Sequence, residues 1–97
     1  MKNLIVTDAI KAKLKTRHKV DFREVEQCFH NKAGRLLTDT RALHKTNPPT
    51  LWFIAETNKG RALKIVYIQI EMEIHLKTAY EPNEDEKQIY RRHGFAR

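Results

Sequence analysis

Residues 58–80 constrain the fold of this chain more than any other stretch. Asn58-Lys59-Gly60 is a turn sequence in which Gly60 suits a positive φ. The strand that follows alternates: Arg61, Leu63, Ile65, Tyr67 and Gln69 point one way, and Ala62, Lys64, Val66, Ile68 and Ile70 the other. In the next strand Met72, Ile74, Leu76, Thr78 and Tyr80 are expected on one face, and Glu73, His75, Lys77 and Ala79 on the other. Such a period of two predicts a sheet with one covered face and one wetter face. Residues 51–57, centred on Trp52, Phe53 and Ile54, supply the strand before the turn. Residues 35–39 are expected as a short first strand, and the polar residues 40–50, with Asn47-Pro48-Pro49, as a loop.

Helical signals flank this sheet. Thr7 suits the cap of a helix over residues 8–17, with Ile10 and Leu14 on its apolar side. Asp21 caps a second helix over residues 22–30. Glu24 stands in capping-box position, and Val20 and Val25 have the spacing of a hydrophobic staple. Phe22, Val25 and Phe29 form its core-facing stripe, with Cys28 beside them as an inert buried thiol. Asn83 caps a last helix whose acidic start, Glu84-Asp85-Glu86, and basic end, Arg91-Arg92-His93, both suit the helix dipole; Gly94 is its expected stop. The expected fold is α+β: two N-terminal helices packed on one side of a three- to four-stranded antiparallel sheet, with a C-terminal helix. The 97 residues suffice for one domain over 1–97.

Composition narrows the function. Nineteen Lys and Arg against twelve Asp and Glu give a formal charge of +7, which favours a polyanionic partner. One cysteine excludes an intramolecular disulfide, and no run is apolar enough to span a membrane, so a cytoplasmic protein without a membrane partner is expected. The five histidines are not spaced as helical ligand pairs and no Cys-x-x-Cys occurs, so no metal and no other cofactor is expected. Metal-free RNA cleavage needs a base for the 2′-hydroxyl, a cation for the phosphorane and an acid for the leaving oxygen. Groups of these types stand in three places: Arg17, His18 and Lys19 between the first helices; Arg61, Tyr67, His75, Lys77 and Tyr80 in the hairpin; Tyr90, Arg91 and Arg92 in the last helix. Each also has a structural explanation. Tyr67 lies among apolar neighbours, His75 and Lys77 suit a solvated strand face, and Tyr90 suits helix-to-sheet packing.

Several of these residues resemble one family. Arg17-His18-Lys19-Val20-Asp21-Phe22-Arg23-Glu24-Val25 is similar to the Lys-His-Gly-Val-Ser-Phe-Glu-Glu-Ala pattern of BrnT-type toxins. Gly60-Arg61-Ala62-Leu63, with Val66-Tyr67, resembles their Gly-Arg-x-Leu…Val-Tyr strand. Thr78-Ala79-Tyr80 falls where the family often has Ser-Ala-Arg, and Glu86-Lys87 with Tyr90 where it has Glu-Arg…Tyr. Lys19 thus replaces a glycine and Tyr80 an arginine. The resemblance, running from Arg17 to Tyr90, implies a RelE-like toxin domain, metal-independent endoribonuclease activity on an RNA substrate, and a cognate antitoxin protein as partner. On this frame Arg61 and Arg17 are candidates for phosphate contact; His18, Lys77 or Tyr80 for proton transfer; Tyr67 or Tyr90 for positioning the RNA; and Lys19 and Arg91 for further RNA contact. The alternative is a non-catalytic basic module that binds nucleic acid or an acidic protein. Hydrolysis of protein-linked ADP-ribose fits poorly, because no acidic metal site is evident.

Overall fold

The computed structural model describes residues 3–40 and 47–95. Its elements are strand β1 (Leu4–Ile5), helix α1 (Asp8–Lys13) continuing into a π-helical turn (Leu14–His18), helix α2 (Phe22–Asn31), strands β2 (Leu37–Thr38), β3 (Thr50–Glu56), β4 (Ala62–Ile70) and β5 (Glu73–Tyr80), and helix α3 (Glu84–Gly94). They form a small mixed α+β domain. The loop expected over residues 40–50 lies largely outside the described residues, which resume at Asn47.

The sheet has five strands in the order β1-β5-β4-β3-β2. It is mixed rather than antiparallel, because β1 runs parallel to β5, pairing Leu4 with Ile74 and Ile5 with His75. Two residues are too few to show alternation, so this strand left no periodic signal. The pairings of β3 with β4 and of β4 with β5 are antiparallel, as the hairpin spacing predicts. In β5, however, the register slips between Val66 and Tyr67: Thr78 pairs with Val66, and Leu76 with Tyr67. Lys77 is the extra residue of this bulge, so Leu76 and Ala79 both lie on the buried face. The expected alternation through residues 72–80 therefore fails in its second half. Met72, expected on the apolar face, stands in the β4–β5 turn and is exposed.

The helices cover both faces of the sheet, not one. Phe53, Leu63, Ile65 and Tyr67 share a face, and Phe29 of α2 packs edge-on to Phe53 and Tyr67 at ring-centroid distances of 5.1 and 5.4 Å. Val25, Cys28 and Leu14 complete this core. Trp52 points the opposite way, pairs in register with Val66 and meets Tyr90 of α3 at 5.7 Å. Capping explains the two longer helices. Asp21 with Glu24, and Asn83 with Glu86, each form the reciprocal pair of hydrogen bonds that satisfies the first free N–H groups. Gly94 is the last residue of α3 rather than its cap, which is Phe95.

The Tyr90 ring fixes the seat of α3. Its hydroxyl donates to the Arg35 carbonyl at 2.7 Å, and Arg35 N–H donates to the Gly94 carbonyl at 2.8 Å. A Cβ on Gly34 would stand 2.5 Å from the Tyr90 hydroxyl, and one on Gly94 2.7 Å from its ring. Both glycines make room for one aromatic ring whose position its hydrogen bond fixes. Gly34→Ala should therefore overpack this contact and lower stability by about 1–3 kcal/mol, read as a lower urea midpoint with an unchanged m-value.

Candidate functional site

The candidate site grows from the end of the π-helical turn. The Thr16 hydroxyl donates back to the Ala12 carbonyl at 2.8 Å, and both Lys19 and Val20 N–H groups donate to the Leu14 carbonyl. The wide turn ends on Lys19 at φ 53°, ψ 43°, the left-handed region that glycine enters without a steric penalty. This places Arg17, His18 and Lys19 on a tight corner, with Arg17 and Lys19 exposed and His18 half-buried.

Arg61 holds that corner. Its Nη1 donates to the Lys19 carbonyl at 2.8 Å and its Nη2 to the His18 carbonyl at 3.1 Å. Nη1 also meets both Glu24 oxygens at 3.1 Å, while Nε donates to Glu81 at 3.0 Å. Burial works against the Arg61 charge, but the hydrogen bonds and charges of Glu24 and Glu81 outweigh it and raise the pKa above the ordinary value. The guanidinium expected to grip phosphate is thus occupied by two carboxylates and two carbonyls. Its geometry is that of a clamp joining the hairpin, the π-helical corner, α2 and the segment after β5.

A second polar chain begins at His18. Its ring stands 5.6 Å from that of Tyr80. The Tyr80 hydroxyl donates to Glu86 Oε2 at 2.7 Å, and Lys64 Nζ donates to the same oxygen at 2.8 Å. Glu86 Oε1 accepts the Asn83 N–H at 2.9 Å. The Lys64 ammonium lies 4.5 Å from the Trp52 ring centroid and 5.7 Å from that of Tyr80, a cation–π arrangement that helps offset its burial. Burial alone would raise the Glu86 pKa, but the bonds from Lys64, Asn83 and Tyr80 and the Lys64 charge bring it below the ordinary value.

The structure thus gathers Arg17, His18, Lys19, Arg61 and Tyr80 in one region. Lys77 is exposed at the β5 bulge, three residues before Tyr80. It does not bring Tyr67, Tyr90 or Arg91 there. Tyr67 is enclosed between Phe29 and Phe53, and burial raises its pKa. Tyr90 is a buried packing residue, and Arg91 lines a separate groove on the other flank of α3 with Ile54, Ala62 and Lys87. His75 pairs with Glu73 at 3.1 Å. Cys28 donates to the Ala55 carbonyl, and burial, with Glu24 nearby, pushes its thiol up to about 12.

Sequence reasoning did not single out Lys64, Glu86 and Trp52 as site residues. A lysine inside the run Leu63-Lys64-Ile65-Val66 was the available signal, since a cation there needs an acidic partner from another element. Between the Glu86 flank of α3 and β2 lies a groove of about 640 Å³, lined by Leu37, Asp39, Trp52, Lys64, Glu86 and Ile89 among others. Among the described residues, no group of three or more His, Cys, Asp or Glu side chains is placed to hold a metal ion, and no helix is long and apolar enough to cross a membrane. The chain matches no protein-family model and no curated protein.

Two stability predictions follow from these networks. Arg61→Ala strands two carbonyls and leaves Glu24 without its cation. With both side chains about a quarter exposed, the expected loss is about 2–3 kcal/mol after solvent screening. Arg61→Lys should not restore it, because an ammonium lacks the planar fork; urea midpoints of the three proteins give the comparison. Glu86 has a depressed folded pKa, so its contribution is full above the ordinary value of 4.5 and is lost as pH falls through the lower folded value. The stability gap between wild type and Glu86→Gln should be widest near neutrality and close progressively below pH 4.5.

Proposed function

We propose that this protein is a toxin-like, metal-independent endoribonuclease of a type II toxin–antitoxin pair, held in check by a cognate antitoxin. The continuous row from His18 through Tyr80 and Glu86 to Lys64 carries the chemical part of this reading. It sets an imidazole beside a phenol whose hydroxyl is already polarised by a carboxylate. His18 takes the proton of the attacking 2′-hydroxyl, and the Tyr80 O–H turns from Glu86 to the leaving oxygen, gives it its proton, and the phenolate then recovers one from water. Arg17 and Lys19, exposed on either side of His18, supply the positive field that phosphate needs. Arg61 acts behind this front by fixing the carbonyls of His18 and Lys19. The toxin assignment itself is supported by the ordered BrnT-like pattern from Arg17 to Tyr90 and by the basic charge.

A second reading, a non-catalytic module that holds RNA or an acidic protein, draws support from Arg61: its charge is compensated internally, which removes the strongest candidate for transition-state stabilisation. The two readings separate in one assay. The purified chain, incubated with structured and unstructured RNA in excess chelator, should cleave it. His18→Ala should slow cleavage about 100-fold or more, in the range of a lost general base, and Tyr80→Phe by a smaller factor. Salt-sensitive binding of RNA that stays intact would instead establish the binding module. Cleavage abolished by chelator and indifferent to His18→Ala would sink the mechanism.

A further inference from the structure

The basic corner continues into a groove between the first helical segment and the start of α2. Lys11 of α1, Lys15 of the π-helical turn, Lys19 at its end, Asp21, Phe22 and Glu24 line it. The acidic members are committed within the protein. Glu24 accepts the Asp21 N–H and pairs with Arg61, and Asp21 Oδ1 accepts the Arg23 N–H at the α2 cap. The lysines are not. All three are exposed, and the side chains of Lys15 and Lys19 have no partner among the described residues. Lys11 has the Phe22 ring at 5.2 Å, a weak contact at an exposed site. These cations face outward, unlike Arg61 and Lys64.

The cations are arranged in a row. Four residues of helix separate Lys11 from Lys15, a rise of about 6 Å, and Lys19 carries the row to the neighbour of His18. Separate ammonium point charges along a groove suit the successive phosphates of a strand, whereas one compact anion is better held by a converging fork. With Lys11 against Phe22, the groove offers no free aromatic face to select a base. In-line attack by a 2′-hydroxyl also requires a strand released from the A-form helix. We propose that this groove is a sequence-independent track for the phosphodiester backbone of single-stranded RNA, leading past Lys11, Lys15 and Lys19 to His18. The proposal rests on the reading of the corner as the RNA site and adds the course of the strand. The cations at the end of α3 are the competing surface. They complement the helix dipole, and the groove lined by Arg91 contains neither His18 nor Tyr80.

A labelled single strand of 2′-O-methyl RNA lacks the attacking hydroxyl, so its binding to the intact chain is read without cleavage. Fluorescence anisotropy at several salt concentrations gives the affinity and its salt slope. Lys11→Ala, Lys15→Ala and Lys19→Gly should each lower the slope by about 0.7 and weaken binding about fivefold near 0.1 M salt. The two alanines fall at exposed helical positions, and glycine suits the φ of 53° at Lys19, so all three variants keep the fold. Lys15→Arg keeps the charge and should bind as the wild type does. Arg92→Ala, late in α3, should leave the slope unchanged. The track is overturned by no binding of the strand, by a slope indifferent to the three lysines, or by an equal fall with Arg92→Ala. Lysine-dependent binding by a protein that leaves unmodified RNA intact would retain the track and refute the nuclease. Cleavage by a protein whose salt slope ignores the lysines would do the reverse.

Discussion

The structure depends most on the Arg61 guanidinium. It stands at the end of the β3–β4 turn and donates to groups 42 and 43 residues earlier as well as to Glu81, 20 residues later. A planar five-donor fork is suited to this task because it bonds in several directions at once without bending. Three unfavourable features are held in place by it. The left-handed Lys19 opposes an intrinsic preference of about 1–2 kcal/mol. The π-helical turn leaves the carbonyls of His18 and Lys19 outside any helical ladder. Glu24 is committed both to the α2 capping box, where it accepts the Asp21 N–H at 3.0 Å, and to the Arg61 ion pair. One side chain therefore couples the corner that presents His18 to the cap that starts α2.

This arrangement also changes how the net charge is to be understood. Arg61 and Lys64, the cations nearest the centre of the site, are each matched by carboxylates from elsewhere in the chain. Their charges are directed inward, against burial, rather than outward to a ligand. The charge excess is carried instead by exposed residues such as Lys13, Lys15, Arg17 and Lys19 around the π-helical corner, and Arg91 and Arg92 late in α3. A polyanion approaching the corner meets flexible surface cations first and fixed internal dipoles second. On the proposed reading, the first group favours association and the second sets geometry at the reacting atoms.

Local signals were legible in the sequence wherever a rule acts over a few residues. The Asp21–Glu24 capping box, the Asn83 cap, the Gly60 turn and the apolar stripe of α2 all appear where their spacing placed them. What the sequence concealed depends on distant partners or on a single inserted residue. β1 pairs with a strand seventy residues away and is too short for a periodic pattern. The bulge at Lys77 reverses the faces of the residues after it, which is how Ala79 comes to be buried and Tyr80 to face Lys64. The placement of α3 followed from Trp52 and Lys64; alternation puts them on the opposite face and a lysine in that run signals the need for an acidic partner, but not that α3 supplies it. Arg61 looked like a ligand because an arginine in a basic hairpin advertises phosphate binding; its actual partners, two backbone carbonyls and two glutamates, are invisible to spacing.

The row from His18 to Lys64 turns on Glu86, which serves structure and site together. Its Oε1 closes the α3 cap, while its Oε2 accepts from both Tyr80 and Lys64. Protonating it would remove the charge that holds the Lys64 ammonium and weaken its acceptance from the Asn83 N–H and the Tyr80 hydroxyl. The buried ammonium and the helix cap together keep that proton off by lowering the pKa. The bulge at Lys77 is what allows this sharing, because without it Tyr80 would face α2 and the apolar core. A one-residue insertion in an edge-proximal strand thus places the Tyr80 side chain between the half-buried His18 ring and the Glu86–Lys64 ion pair, so the register of β5 decides which groups the site brings together.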